Sequence, residues 1–221
     1  MGADDRGWTA VRALADRQFG LFTAAQARAL GIAPYTLARW AVADRVIRVH
    51  HGVYEDPNSS AWTTFGDWAA QWLALQPSAD IDHRRRHPDC VISHSAAAQI
   101  LRLGTLNAGG LELTAPRRIN VRDPRVRTWR RGIGQQGHDW ELIDGLPVTT
   151  PLRTISDLLG SHGDGGHVGT AVRTALADGA ARYADLVAVC DRAAHRWGHT
   201  RGEDLLTSLL SASAQPAAVA V

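Results

Sequence analysis

The chain has 221 residues, 45% of them hydrophobic and 21% charged, enough to build a small domain and a medium one. No apolar run approaches the roughly twenty residues that a membrane span needs. The start, MGADDRGW, lacks the basic-then-apolar pattern of a signal peptide, so the expected location is cytoplasmic and no membrane partner is implied. All 24 basic residues are arginine, a bias that GC-rich codon usage suffices to explain. Without lysine, a P-loop phosphate ligand and Schiff-base chemistry are excluded. Cys90 and Cys190 have no second cysteine near either in sequence and read as reduced structural thiols.

Trp8, Val11, Leu14 and Ala15 share one face of a first helix. Thr23 and Gln26 then form a T-x-x-Q capping box, opening a helix that Gly31 can stop in the left-handed conformation. Pro34 suits the first turn of the next helix. Leu37, Trp40 and Ala41 fix its inward face, leaving Tyr35, Thr36 and Arg39 outward. Beyond Asp44 the pattern alternates through Val46, Ile47 and Val49, turns at His50-His51-Gly52, and resumes at Val53-Tyr54. Helix, glycine turn, helix and β-ribbon is the layout of a winged helix-turn-helix, which sets one helix in a DNA major groove. From Val11 to Tyr54 six arginines face two acids, a balance that favours phosphate contact. Tyr35, Thr36 and Arg39 are the expected base-reading residues, and Arg45, Arg48, His50 and His51 the expected phosphate contacts of the wing. The polar EDPNSS stretch places the end of this domain at residue 56.

A second domain is expected over residues 57–210, with residues 211–221 as a flexible tail. Its first helix, residues 61–76, carries Trp62, Phe65, Trp68, Trp72 and Leu73 on a stripe that should bury against the domain that follows. Residues 78–89 read as a charged loop, and ISHSAAAQILRLG as a short capped helix. Leu111–Ala115 and Arg125–Trp129 alternate like strands of one sheet, with Arg125 and Arg127 on the same side. Arg117, Arg118, Arg130 and Arg131 flank them, and residues 84–131 hold eleven arginines against three acids. That density points to an acidic partner, a second DNA contact or a merely solvated face.

In GLPVTTPLRTISDLL, Val148 closes a strand, Thr150 caps and Pro151 begins a helix in which Arg153 and Asp157 pair at i, i+4. Gly160–Gly166 is a loop but no phosphate cradle. Helices follow near 168–177, 184–196 and 201–211, the last with Thr200 and Glu203 as a capping box. The fold class expected is α+β: an N-terminal winged helix-turn-helix, then a larger α+β domain with a small mixed sheet and a C-terminal helical bundle.

FTAAQARALGI…LARW…VIRVHHGVY, ISHSAAAQILRLG and GLPVTTPLRTISDLL together resemble the AbiEi family of antitoxins, from type IV toxin–antitoxin pairs. The resemblance implies a winged helix that represses the protein's own promoter. It also implies a C-terminal domain that opposes a nucleotidyltransferase-type toxin encoded next to it, with the basic block as the expected partner-binding surface. Catalytic chemistry finds no support. A nuclease of the PD-(D/E)xK type lacks its lysine; the Asp80-Ile81-Asp82 pair precedes rather than follows Gly160-Ser161; and His195 and His199 have no third metal ligand. No enzyme, cofactor or metal is therefore expected. The alternatives are a stand-alone regulator with a sensing or dimerising C-terminal domain, and a divergent hydrolase.

Overall fold

A computed structural model describes residues 3–61, 63–121, 123–161 and 163–213. The chain forms two compact units that divide between Pro88 and Asp89. In the first, α1 (Ala3–Ala15), α2 (Ala24–Ala29) and α3 (Pro34–Val42) surround a core of Val11, Ala15, Phe22, Ala27, Ile32, Leu37, Trp40 and Val46. Strands β1 (Leu21–Thr23), β2 (Ile47–His50) and β3 (Val53–Glu55) form an antiparallel sheet in the order β1-β3-β2. The first of these strands escaped the sequence reading, because three residues are too few to show alternation. Gly52, at φ 71°, closes the β2–β3 wing in the left-handed region that its lack of a Cβ permits. This is the expected winged helix.

The capping box of α2 does more than cap. The Gln26 side chain accepts from Thr23 N at 2.9 Å, and Thr23 Oγ1 accepts from Gln26 N at 3.1 Å. The Gln26 amide also exchanges two hydrogen bonds with the fully buried Gln18, at 2.8 and 3.2 Å, and donates to the Ala79 carbonyl at 3.2 Å. Gln18 donates in turn to the Leu21 carbonyl at 2.8 Å, and Thr23 Oγ1 to the Pro77 carbonyl. Two buried amides thus join the turn after α1, helix α2 and the 77–79 segment.

The expected boundary at residue 56 falls inside this unit. Helix α4 (Gly66–Leu75) lies against β1, β2 and β3, so the aromatic stripe packs on the winged helix's own sheet rather than on a later domain. Trp72 is fully buried, Phe65 stacks on Trp68 at 5.2 Å, and Trp62 lies outside the described residues. The helix starts at Gly66, five residues after the expected start. Residues 81–86 are not a loop but a short helix, α5 (Ile81–Arg86). Asp80 caps it, accepting from His83 N at 2.7 Å, and Ile81 anchors it in the interior. Arg84 is only 3% exposed: its guanidinium lies 3.8 Å over the Trp72 ring and donates to the Trp72 carbonyl. A run of charges that looks solvated is therefore partly structural.

The second unit holds a five-stranded mixed sheet in the order β6-β5-β4-β8-β7, built from β4 (Val91–Ile92), β5 (Leu111–Ala115), β6 (Val126–Arg130), β7 (Trp140–Ile143) and β8 (Leu146–Thr149). Pairs β5–β6 and β4–β8 are parallel; β4–β5 and β7–β8 are antiparallel. Helix α6 (His94–Ile100) follows β4, and α7 (Pro151–Gly160) follows β8. With α8 (Gly165–Ala177), α9 (Tyr183–Ala194) and α10 (Gly202–Ala212), α7 forms the helical bundle around Ile155, Val172, Leu186 and Leu206. A Cβ at Gly169 would stand 2.1 Å from the Leu209 carbonyl oxygen, so the glycine is what lets α8 and α10 approach. Thr150 is the N-cap of α7, but its hydroxyl donates to the His138 carbonyl at 2.9 Å instead of capping. The Thr200 box does not form either. Arg201 is the N-cap of α10, paired with Asp204 at 2.9 Å. Glycines 165 and 166 belong to α8 rather than to a loop, and of the tail only residues 211–213 are described.

Replacing Gln26 with alanine removes a cap and strands the buried Gln18 amide. Gln26→Ala should cost the first unit about 2–3 kcal/mol, read as a fall in the urea midpoint of full-length protein followed by tryptophan fluorescence.

Candidate nucleic-acid interface

Helix α3 begins at Pro34 without a side-chain cap and buries Leu37 and Trp40, the i, i+3 pair that the sequence pattern selects. Its opposite side is open. Tyr35 is 74% exposed and Val42 87%, with Arg39 also exposed and Thr36 half-buried between them. Helix α3 thus presents an aromatic ring, an isopropyl group and an arginine to solvent, away from its packed face.

On the wing, Arg48 and His51 are exposed, and Arg48 Nη2 donates to His51 Nδ1 at 3.0 Å. His50 is half-buried. Arg45 is not free to range: its guanidinium lies 4.2 Å from the Trp8 ring and 5.4 Å from that of Trp40, itself edge-on to Trp8 at 5.1 Å. Other arginines of the local excess are also spent inside the unit. Arg12 pairs with the buried Asp56 at 3.1 Å, and Arg17 with Asp82 at 3.8 Å. Arg28, Arg39 and Arg48 remain exposed.

The six candidate partner-binding arginines of the second unit do not form one surface. Strand β6 starts at Val126, so Arg125 precedes it and does not alternate with Arg127; it clasps Asp123 instead, at 3.1–3.2 Å. Arg127 lies 4.2 Å over the Trp129 ring, which also stacks on His94 at 4.2 Å. Arg131 donates to Asp157 at 2.7 Å. Arg117, Arg118 and Arg130 are exposed.

The expected Arg153–Asp157 pair is present, at 3.0 Å, and belongs to a larger knot. Arg153 also reaches Asp139 at 3.2 Å and the Gly132 carbonyl at 2.9 Å. Burial pushes the Asp157 carboxyl above its ordinary range, against the pull of Arg153 and Arg131. Burial acts on Asp139 in the same sense, but the Gln135 N–H, His138 and Arg153 outweigh it and hold this acid below its ordinary range. Neither Arg131 nor Asp139 is near Asp157 in sequence, so no local spacing reveals the knot.

His94 is buried at the start of α6 in the left-handed region, at φ 53°. Thr114 Oγ1 donates to Ser93 Oγ at 2.9 Å, and Ser93 Oγ lies 2.8 Å from His94 Nδ1. Burial, with Arg127, Arg131 and Arg153 nearby, lowers the His94 pKa to about 3. Both cysteines are buried, and burial together with Asp191 pushes the Cys190 thiol up to about 11, so it is unreactive. Among the described residues no cluster of histidine, cysteine and carboxylate side chains could hold a metal ion, and no helix is long and apolar enough to cross a membrane.

Residues 10–55 match the family described as transcriptional regulator, AbiEi antitoxin. The match covers the winged helix. No curated protein matches the chain. The crystal structure of the RV2827C protein from Mycobacterium tuberculosis aligns with 96% of this chain and 78% of its own length, with a TM-score of 0.53 and 14% identity. At that identity the likeness is one of fold.

A histidine held neutral must gain its proton on unfolding in acid. The folded pKa of about 3 lies below the ordinary value of 6.5, so the stability His94 lends is complete above pH 6.5 and is lost as pH falls towards 3. Between those limits His94 should contribute about 1.4 kcal/mol per pH unit to the slope of stability against pH. Asn tolerates the same backbone conformation, so His94→Asn should flatten that slope, measured as urea midpoints across the window.

Proposed function

We propose that this chain, whose residues 10–55 carry an AbiEi-type antitoxin regulator domain, is a non-enzymatic, cytoplasmic DNA-binding antitoxin that represses its own promoter. It opposes a nucleotidyltransferase-type toxin encoded next to it. The observation that carries the reading is the open face of α3: Tyr35, Thr36 and Arg39 stand opposite Leu37 and Trp40, on the helix that this motif places in the major groove. Tyr35 and Thr36 offer apolar and hydroxyl contacts to base edges, and Arg39 the forked donor that suits guanine. Arg48, with His51 beside it and His50 behind, supplies phosphate contacts that set register. Arg45 contributes mainly by fixing Trp8 against Trp40 under the wing, and its charge adds to the field. Toxin opposition falls to the second unit. Of the six candidate arginines, Arg117, Arg118 and Arg130 are the ones available to an acidic partner, while Arg125, Arg127 and Arg131 shape that region through Asp123, Trp129 and Asp157.

In gel shifts on the upstream promoter, Arg48→Ala should weaken binding to all sequences alike and lower the salt slope by about one. Arg39→Ala should instead relax preference at particular base pairs, by about 1–3 kcal/mol. A triple alanine variant at 35, 36 and 39 that still selects the promoter removes the assignment. For the second unit, Arg117→Glu with Arg118→Glu should abolish rescue from the neighbouring toxin in a growth assay while promoter binding persists. Unchanged rescue by a folded variant takes those two residues out of the toxin contact.

A further inference from the structure

The second unit contains a cavity of ≈330 Å³ between α6, the end of β6, α7 and the end of α9. His94, Trp129, Arg130, Arg131, Ser156, Asp157, Arg192 and Arg196 are among the residues that line it. Its volume lies at the small end of the range for ligand and cofactor sites, about 300–1,000 Å³. Four arginines converge on it against a single acid, and that acid is already engaged: Asp157 accepts from Arg131 at 2.7 Å and from Arg153 at 3.0 Å.

Arg130, Arg192 and Arg196 are exposed and have no hydrogen bond or ion pair among the described residues. Arg192 lies in the last turn of α9 and Arg196 in the 3₁₀ turn, His195–Trp197, that follows it, and both line this space. His94 adds a neutral imidazole. Its Nδ1 is engaged by Ser93, which leaves Nε2 without a partner among the described residues. The walls are therefore rich in donors, while the one carboxylate is occupied. They are also braced: Arg127 and His94 both lie 4.2 Å from the Trp129 ring, and Arg153 fixes Asp157 from behind.

A lining of this kind selects a compact ligand with several acceptor oxygens and more than one negative charge. A carboxylate offers two oxygens in a plane, whereas linked phosphates offer a cluster with the charge that separated arginines require. We propose that this cavity is a binding site for a small polyphosphate-bearing ligand, such as a nucleoside di- or triphosphate or inorganic pyrophosphate. The site takes no residue from the DNA-binding face, and it shares Arg130, but neither Arg117 nor Arg118, with the partner surface proposed above. The competing role for Arg192 is to stabilise the C-terminal end of α9, where a cation is favourable without any ligand.

The test is isothermal titration of the full-length chain with pyrophosphate, ATP and citrate at physiological ionic strength. Pyrophosphate or ATP should bind with a Kd below about 1 mM, at least tenfold tighter than citrate. Arg192→Gln and Arg196→Gln should each weaken binding about tenfold, and the double variant about a hundredfold, while Arg117→Gln leaves it unchanged. Both positions are exposed, so the variants should fold, which their retained promoter binding and circular dichroism would verify. Equal binding of pyrophosphate and ATP assigns recognition to the phosphates, and tighter binding of ATP assigns part of it to the nucleoside. No binding of either, citrate binding as tightly as pyrophosphate, or affinity indifferent to Arg192 and Arg196 overturns the proposal and leaves those arginines as helix-end charges. A short duplex that displaces ATP more strongly than pyrophosphate does overturns it in favour of a second nucleic-acid contact.

Discussion

Two buried amides set the geometry of the first unit, because leaving either unpaired is costly. Gln18 and Gln26 satisfy each other, and between them they hold the Leu21 carbonyl, the Thr23 N–H and the Ala79 carbonyl. An unpaired amide inside a protein costs about 1–3 kcal/mol, so each of those groups must sit where the network needs it. Apolar residues such as Val11 and Ala27 share the core of α1 and α2, but apolar packing tolerates sliding; a closed set of hydrogen bonds does not. The position of α2, and with it the turn that leads into α3, is set by that closure.

The same logic orders the second unit around Asp157. A carboxylate with no exposed side-chain surface must be met by donors, and Arg153 and Arg131 meet it from within α7 and from the end of β6. Arg153 then ties in Asp139 and the Gly132 carbonyl, so the segment between β6 and β7 is anchored at both ends. Such buried ionic sets add little net stability, because desolvation offsets much of the attraction, but they are intolerant of alternative arrangements. Here they fix the edge strand β6 and the helix α7 as two walls of one cavity.

An arginine-only cation set suits both arrangements. The planar guanidinium stacks as well as it pairs, which is how Arg45, Arg84 and Arg127 come to lie on tryptophan rings. A charge count alone therefore overstates what is available for DNA or a partner. Arg12, Arg17 and Arg45 are occupied inside the first unit, and Arg125, Arg127 and Arg131 inside the second.

What could be read from the sequence is what depends on near neighbours. The Thr23–Gln26 box, Pro34 at the start of α3, the Leu37–Trp40 face, the Gly52 turn and the Arg153–Asp157 pair all follow from spacings of a few residues, and all are present. That was enough for the winged helix, for the outward face of α3 and for the mixed class of the second unit. Tertiary structure decided the rest. Residues 57–88 join the first unit because α4 finds its apolar partner in the sheet behind it, and no pattern within α4 says which sheet that is. Arg84 is buried because Trp72, twelve residues away, offers both a ring and a carbonyl. The cavity arises because the parallel pairing of β5 with β6 brings Trp129 and Arg131 to the ends of α6, α7 and α9. A charged side chain can be satisfied by water, by a ring or by a distant carboxylate at similar cost, so its own neighbours in sequence do not determine which it takes. The fold makes that choice when it sets which groups lose their water.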